Sequence, residues 1–171
     1  GTFPVFNRRI RYELLFNLGG YTTPHAAYMQ TVGLESLDAR YRVQSANALE
    51  LATRLQKVPQ IKRVNYTGLP DNPFYEIAKR QYGNTSGAML TIDLADKASA
   101  LRFIDRLKVI HRASNLFDNR SLAIHTASTI FGTFSGSQRR AMDVLDTTIR
   151  RSVGLEHVDD LYEDIVQAVQ E

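Results

Sequence analysis

Apolar residues fall at helical spacing over residues 6–16 (FNRRIRYELLF), where Ile10, Leu14 and Leu15 share one side. Gly19 and Gly20 end that segment, and Thr23 before Pro24 then offers a capping hydroxyl with proline in the first turn. From 24 to about 58 the chain is rich in Ala, Leu, Arg and Gln. An apolar stripe runs through Ala27, Val32, Leu34, Leu37, Tyr41, Ala48, Leu51, Ala52 and Leu55. The pattern predicts one long helix, bent at Gly33.

Beyond it the period changes. Residues 61–66 (IKRVNY) read as a strand closed by the turn-forming run Gly68, Leu69, Pro70, Asp71, and residues 72–82 as a short helix. Residues 88–94 alternate, with Leu90, Ile92 and Leu94 on one face and Met89, Thr91 and Asp93 on the other. Asp96 caps a helix running to Lys108, with Leu101, Ile104 and Leu107 as its inward row. Shorter strands are expected near 109–114, 121–125 and 147–153. Gly154 ends the last of these. Residues 156–170 form a closing amphipathic helix with Val158, Leu161, Ile165 and Val169 inward, its carboxylates in solvent and Glu156, Asp159 and Asp160 at the positive end of the dipole. Strands with one apolar and one polar face predict an α/β chain of the α+β kind: a mainly antiparallel sheet of about four strands, helices on one face, and a long helix in front. The other face is then wet or pressed against something outside this chain.

Length and composition add exclusions. The 171 residues suit one domain, and 43% hydrophobic with 23% charged residues is ordinary for a globular protein. With no cysteine, disulfides, thiolate catalysis and Cys-based metal sites are ruled out. A net charge of +3, spread over short pairs such as Arg139 and Arg140, forms no basic stripe with interleaved aromatics, so no nucleic-acid partner is expected. No apolar run approaches the roughly 20 residues that cross a bilayer, so no membrane partner is expected and the reading is cytoplasmic. Phosphate-cradling loops are missing, and the serine of the run from Gly132 to Gly136 sits one place too late for a nucleophile elbow. His25, His111, His125 and His157 show no metal-ligand spacing and read as structural.

Several stretches, in order, resemble the pyridoxal-phosphate enzymes of cysteine and methionine metabolism, the family of cystathionine γ-synthase, methionine γ-lyase and O-acetylhomoserine sulfhydrylase. Gly19, Gly20 and Pro24 followed by Gly33-Leu34-Glu35-Ser36-Leu37 and Arg40 are similar to its "GG…P…GLETL..R" segment, with Asn47 and Ala48 beyond. Val64, Tyr66, Gly68 and Leu69 resemble "V-x-YPGL". Ser121, Leu122, His125, Ala127, Ser128 and Thr129 resemble "SL…HPAST". Arg150, Ser152-Val153-Gly154-Leu155-Glu156 and Asp159-Asp160-Leu161 resemble "R-x-SVGLE…DDL".

The resemblance implies the C-terminal small domain of a fold-type-I enzyme, residues 18–171, with residues 1–17 as a linker or helix remnant. It implies that pyridoxal phosphate belongs to the full-length parent, bound through a lysine in an N-terminal domain that is a partner of this chain. Lys57, Lys62, Lys79, Lys97 and Lys108 do not follow Ser or Thr as the family's lysine does, so this chain is expected to bind no cofactor and to be inactive alone, as a fragment. It also implies that Arg150 holds the α-carboxylate of an amino-acid substrate, through two parallel charge-assisted hydrogen bonds. Strand parity agrees, since Ile149, Arg151 and Val153 share one face while Thr148, Arg150 and Ser152 share the other. Asn115 stands where relatives place a serine beside that carboxylate. The chain departs from the pattern at Phe117, where glycine is expected, at Thr126 for proline, and at Ile130 and Phe131 for Thr-His. The parent is then a homotetramer carrying out γ-replacement or γ-elimination on O-acetylhomoserine, cystathionine or methionine. The alternative is a stand-alone binding module that keeps the fold without catalysis.

Overall fold

The structure, a computed structural model, describes the backbone of residues 2–170 and the side chains of residues 4–170. Two compact units are formed, residues 1–37 and 38–171.

The first unit is helical. α1 (Thr2–Ile10) passes into a π-helical stretch, Arg11–Leu15, and a final turn, α2 (Phe16–Leu18). Gly19 closes it in the left-handed conformation, φ 65°, donating its N–H to the Leu15 carbonyl at 3.0 Å. Thr23 then caps α3 (Pro24–Glu35), its hydroxyl oxygen accepting the Ala26 N–H at 3.1 Å, as the sequence predicts. The expected single helix is divided at Ser36, not bent at Gly33. Ser36 leaves helical geometry (φ −97°, ψ 2°) and its hydroxyl donates to the Gly33 carbonyl, competing with the backbone ladder. α4 (Leu37–Leu55) follows.

The second unit is a five-stranded sheet covered by helices. Its further elements are β1 (Arg63–Asn65), α5 (Tyr75–Tyr82), β2 (Met89–Asp93), α6 (Lys97–Arg106), β3 (His111–Arg112), β4 (Leu122–His125), a 3₁₀ turn (Thr126–Ser128), α7 (Gly136–Ala141), β5 (Thr148–Ser152) and α8 (Val158–Val169). Strand order is β1-β2-β5-β4-β3, antiparallel except for β3 beside β4. The strand expected near 109–114 forms as a two-residue edge, β3, and brings the sheet from about four strands to five. α7 was not legible as a helix. It is one short turn-and-a-half whose start is a capping box between Ser135 and Gln138.

One core joins sheet to helices. Leu51, Ala52 and Leu55 of α4, Ala100, Phe103 and Ile104 of α6, and Leu161, Ile165 and Ala168 of α8 pack on Ile92, Ala123 and Ile149. The inward row of α6 is thus phased on Ala100 and Phe103, and Leu101 is 40% exposed. Asp96 caps that helix as expected, accepting the Ser99 N–H at 2.7 Å.

Two acids depart from the expected solvent positions. Asp164 is 4% exposed. It accepts the backbone N–H groups of Lys108, Val109 and Ile110 at 2.8, 3.0 and 3.0 Å, so α8 carries the turn that leads into β3. Glu156 lies before α8 and accepts both the Ser121 N–H (2.7 Å) and the Ser121 hydroxyl (2.8 Å). The Ser121 hydroxyl oxygen accepts the Gly154 N–H at 2.8 Å, and Asn47 of α4 donates to the Gly154 and Glu156 carbonyls. Gly154 is needed there because a Cβ would lie 2.5 Å from the Asn119 carbonyl oxygen. The motif residues Asn47, Ser121, Gly154 and Glu156 therefore build the corner that ends β5, and β5 carries the candidate site.

Candidate substrate-binding site

β5 is the middle strand, paired with β2 on one side and β4 on the other. Alternation turns Ile149 and Arg151 toward the helices and Thr148, Arg150 and Ser152 away from them. Thr91 and Ile124 flank Arg150 in register.

The face away from the helices is not bare. Thr148 and Ser152 are buried there. The Thr148 hydroxyl donates to Asp93, which also pairs with Arg63 at 2.6 Å, and the Ser152 hydroxyl oxygen accepts the Phe117 N–H at 3.2 Å. Arg150 sits between these covered ends, half-buried. Burial pushes its pKa down, and a guanidinium so shifted is still charged at neutral pH.

Arg150 combines a half-buried strand position with the lack of an acidic partner among the described residues. Arg63 is neutralised by Asp93 and Asp143, and Arg112 by Asp105. Arg151 lies within the helix-covered core. Among the described residues Arg150 has no carboxylate within 4.0 Å, and its Nη2 donates one long hydrogen bond of 3.4 Å to the Asn115 carbonyl. The structure thus brings Arg150 and Asn115 together, but through the Asn115 backbone. The Asn115 side chain is engaged locally: Oδ1 accepts the Leu116 N–H at 2.9 Å and Nδ2 donates to Asp118 at 3.0 Å.

Phe117 adjoins them with φ 56°, the left-handed region where glycine is at ease and where the family pattern has glycine. Its ring lies 5.8 Å from that of Tyr41, and the Arg40 guanidinium stands 5.6 Å from its centroid. Sequence alone signalled the change of residue at this position but not these contacts.

No group of three or more His, Asp or Glu side chains that could hold a metal occurs among the described residues. His125 is a core histidine, with Nδ1 2.7 Å from the Ser128 hydroxyl and Nε2 2.8 Å from the Asp146 carbonyl. All five lysines are exposed and none contributes to the cluster of Arg150, Asn115, Phe117 and Tyr41. The arrangement fits an anionic group such as a carboxylate. It does not fit an aldehyde cofactor that must meet an amine.

The family model for Cys/Met metabolism PLP-dependent enzymes matches residues 7–170. O-acetyl-L-homoserine sulfhydrylase 1 of Thermus thermophilus is 37% identical over 96% of this chain and 39% of its own length. L-methionine gamma-lyase of Pseudomonas putida is 34% identical over 95% of this chain and 41% of its own length. A crystal structure assigned as an O-acetylhomoserine (thiol)-lyase of Campylobacter jejuni, carrying pyridoxyl-lysine monophosphate, superposes with a TM-score of 0.91 at 34% identity, over 98% of this chain and 40% of that one. This chain spans about two fifths of the length of these relatives. With the family match running through nearly every described residue, and the fold shared with a pyridoxal-phosphate-bearing structure, the chain belongs to the Cys/Met metabolism pyridoxal-phosphate-dependent enzymes.

Proposed function

We propose that this chain is the substrate-binding C-terminal domain of a pyridoxal-phosphate-dependent enzyme of sulfur amino-acid metabolism, performing γ-replacement or γ-elimination on O-acetylhomoserine, cystathionine or methionine. The observation that carries the reading is Arg150, a half-buried strand arginine facing away from the helices with no carboxylate within 4.0 Å among the described residues. A planar guanidinium so placed grips an incoming α-carboxylate with two parallel N–H···O bonds, each contributing about 1.5–3 kcal/mol. Burial of its surroundings strengthens the grip, since fewer waters compete.

The cofactor, when bound, supplies the electron sink for chemistry at the substrate carbons. In this reading its lysine lies on a preceding domain, that domain is the chain's first partner, the assembly is a homotetramer, and the chain alone does not turn over. Asn115 contributes through its main-chain carbonyl, which steadies the guanidinium, more than through its amide.

Kinetics of the full-length protein test this. Arg150→Ala should raise KM for the amino acid by roughly a hundredfold, leaving cofactor affinity within about twofold. Arg150→Lys should recover only part, having lost the planar fork. Equal loss of cofactor and substrate binding in Arg150→Ala would refute the assignment.

A further inference from the structure

The loop over β5 holds a bulky residue in a conformation that L side chains resist. Phe117 is one of two non-glycine residues with positive φ among those described, and a phenylalanine there persists only when its surroundings impose it. The imposing contacts are visible. Its N–H is tied to the Ser152 hydroxyl oxygen, two residues along β5 from Arg150 and on the same face. Its ring contacts both the Tyr41 ring and the Arg40 guanidinium near the start of α4. The next residue is fastened as well, since Gln44 of α4 donates to the Asp118 carbonyl at 2.6 Å and Asn115 donates to the Asp118 carboxylate.

These ties set where the Asn115 carbonyl stands, and that carbonyl is the hydrogen-bond partner of Arg150. We propose that Phe117 is a positioning residue: its ring, clasped by Tyr41 and Arg40, holds the 115–118 loop in the left-handed turn that aims Arg150 at its carboxylate ligand. The inference rests on the carboxylate reading of Arg150 and adds a residue that acts through it.

The chemistry predicts how substitutions divide. Glycine at 117 removes the backbone strain but also the clasp; alanine removes the clasp and keeps most of the strain; tyrosine keeps both. A merely structural Phe117 would make stability, kcat and cofactor content fall together. A positioning Phe117 acts on substrate capture.

The test is steady-state kinetics of the full-length protein with an amino-acid substrate, beside thermal melting and cofactor content. Phe117→Ala and Phe117→Gly should each raise KM by about tenfold or more with kcat within about threefold, and Phe117→Tyr should restore KM. Should Phe117→Ala not fold, Phe117→Leu, which keeps volume but no π face for Arg40, reads the same quantity. Wild-type KM in the ringless variants would overturn the proposal, as would a rise in KM accompanied by an equal loss of kcat and of cofactor content. Arg150→Ala, run alongside, separates the two readings. If it raises KM while Phe117→Ala does not, only the positioning role fails; if it leaves KM unchanged, the carboxylate site itself is wrong.

Discussion

Arg150 and Arg151 are neighbours on β5 and stand on opposite faces of the sheet. Arg151 is 1% exposed, with Nε and Nη1 lacking a hydrogen-bond partner among the described residues, the Phe103 ring 5.9 Å away, and the charge of Asp164 as electrostatic support. Burial pushes its pKa down to about 9. The folded state thus gives up this proton before the unfolded state does. Between about pH 9 and the ordinary arginine range the unfolded chain binds more protons, and this residue's contribution makes stability rise with pH; below pH 9 its full desolvation cost is present. Arg151→Met should therefore stabilise the protein by about 1–4 kcal/mol at pH 7 in urea denaturation, with the gap narrowing above pH 9. A destabilised Arg151→Met would show that the cation is held by partners the geometry does not reveal. At this scale the outward turn of Arg150 was legible, because parity needs only the strand. The engagement of the Asn115 side chain and the clasp on Phe117 were not, because both depend on residues distant in sequence.

Among the elements, α8 does more than cover the sheet. Periodicity placed Leu161 and Ile165 inward correctly and put every carboxylate of the helix in water, since a pattern of apolar positions cannot foresee that three orphan backbone donors wait beside one of them. Asp164 satisfies those donors at Lys108, Val109 and Ile110 and also accepts from Gln167 at 3.0 Å. Asp164→Asn turns an amide toward them, and should cost about 2–3 kcal/mol in chemical denaturation, with faster amide exchange at 108–110. Unchanged exchange there would contradict the capping role. A related limit explains α6. Its two candidate rows, one through Leu101 and one through Ala100 and Phe103, differ by a third of a turn, and the larger Phe103 ring takes the buried side. The division of the long helix at Ser36 was hidden for another reason: a serine hydroxyl that bonds back to a carbonyl leaves no mark on hydrophobic spacing.

For the whole molecule, the fold class, the strand order's antiparallel character and the helical cover on one face followed from the alternation and the helical periods. The surface of the first unit is a separate matter. Phe16 is 84% and Leu18 75% exposed, with Val5, Phe6 and Tyr12 also in solvent. Exposed apolar side chains promote association when they form a contiguous patch, and the isolated chain should associate as its concentration rises, detectable by sedimentation velocity. Phe16→Asp with Leu18→Asp should reduce that association, and a monomeric wild-type chain at high concentration would count against it. The grip on an amino acid's carboxylate is open to direct inspection in a crystal structure of the full-length protein with an amino-acid substrate or unreactive analogue bound. Both carboxylate oxygens should lie within about 3 Å of the Arg150 guanidinium nitrogens, with the Asn115 carbonyl still beside it. A ligand whose carboxylate is held by another cation, with Arg150 turned away, would contradict that grip.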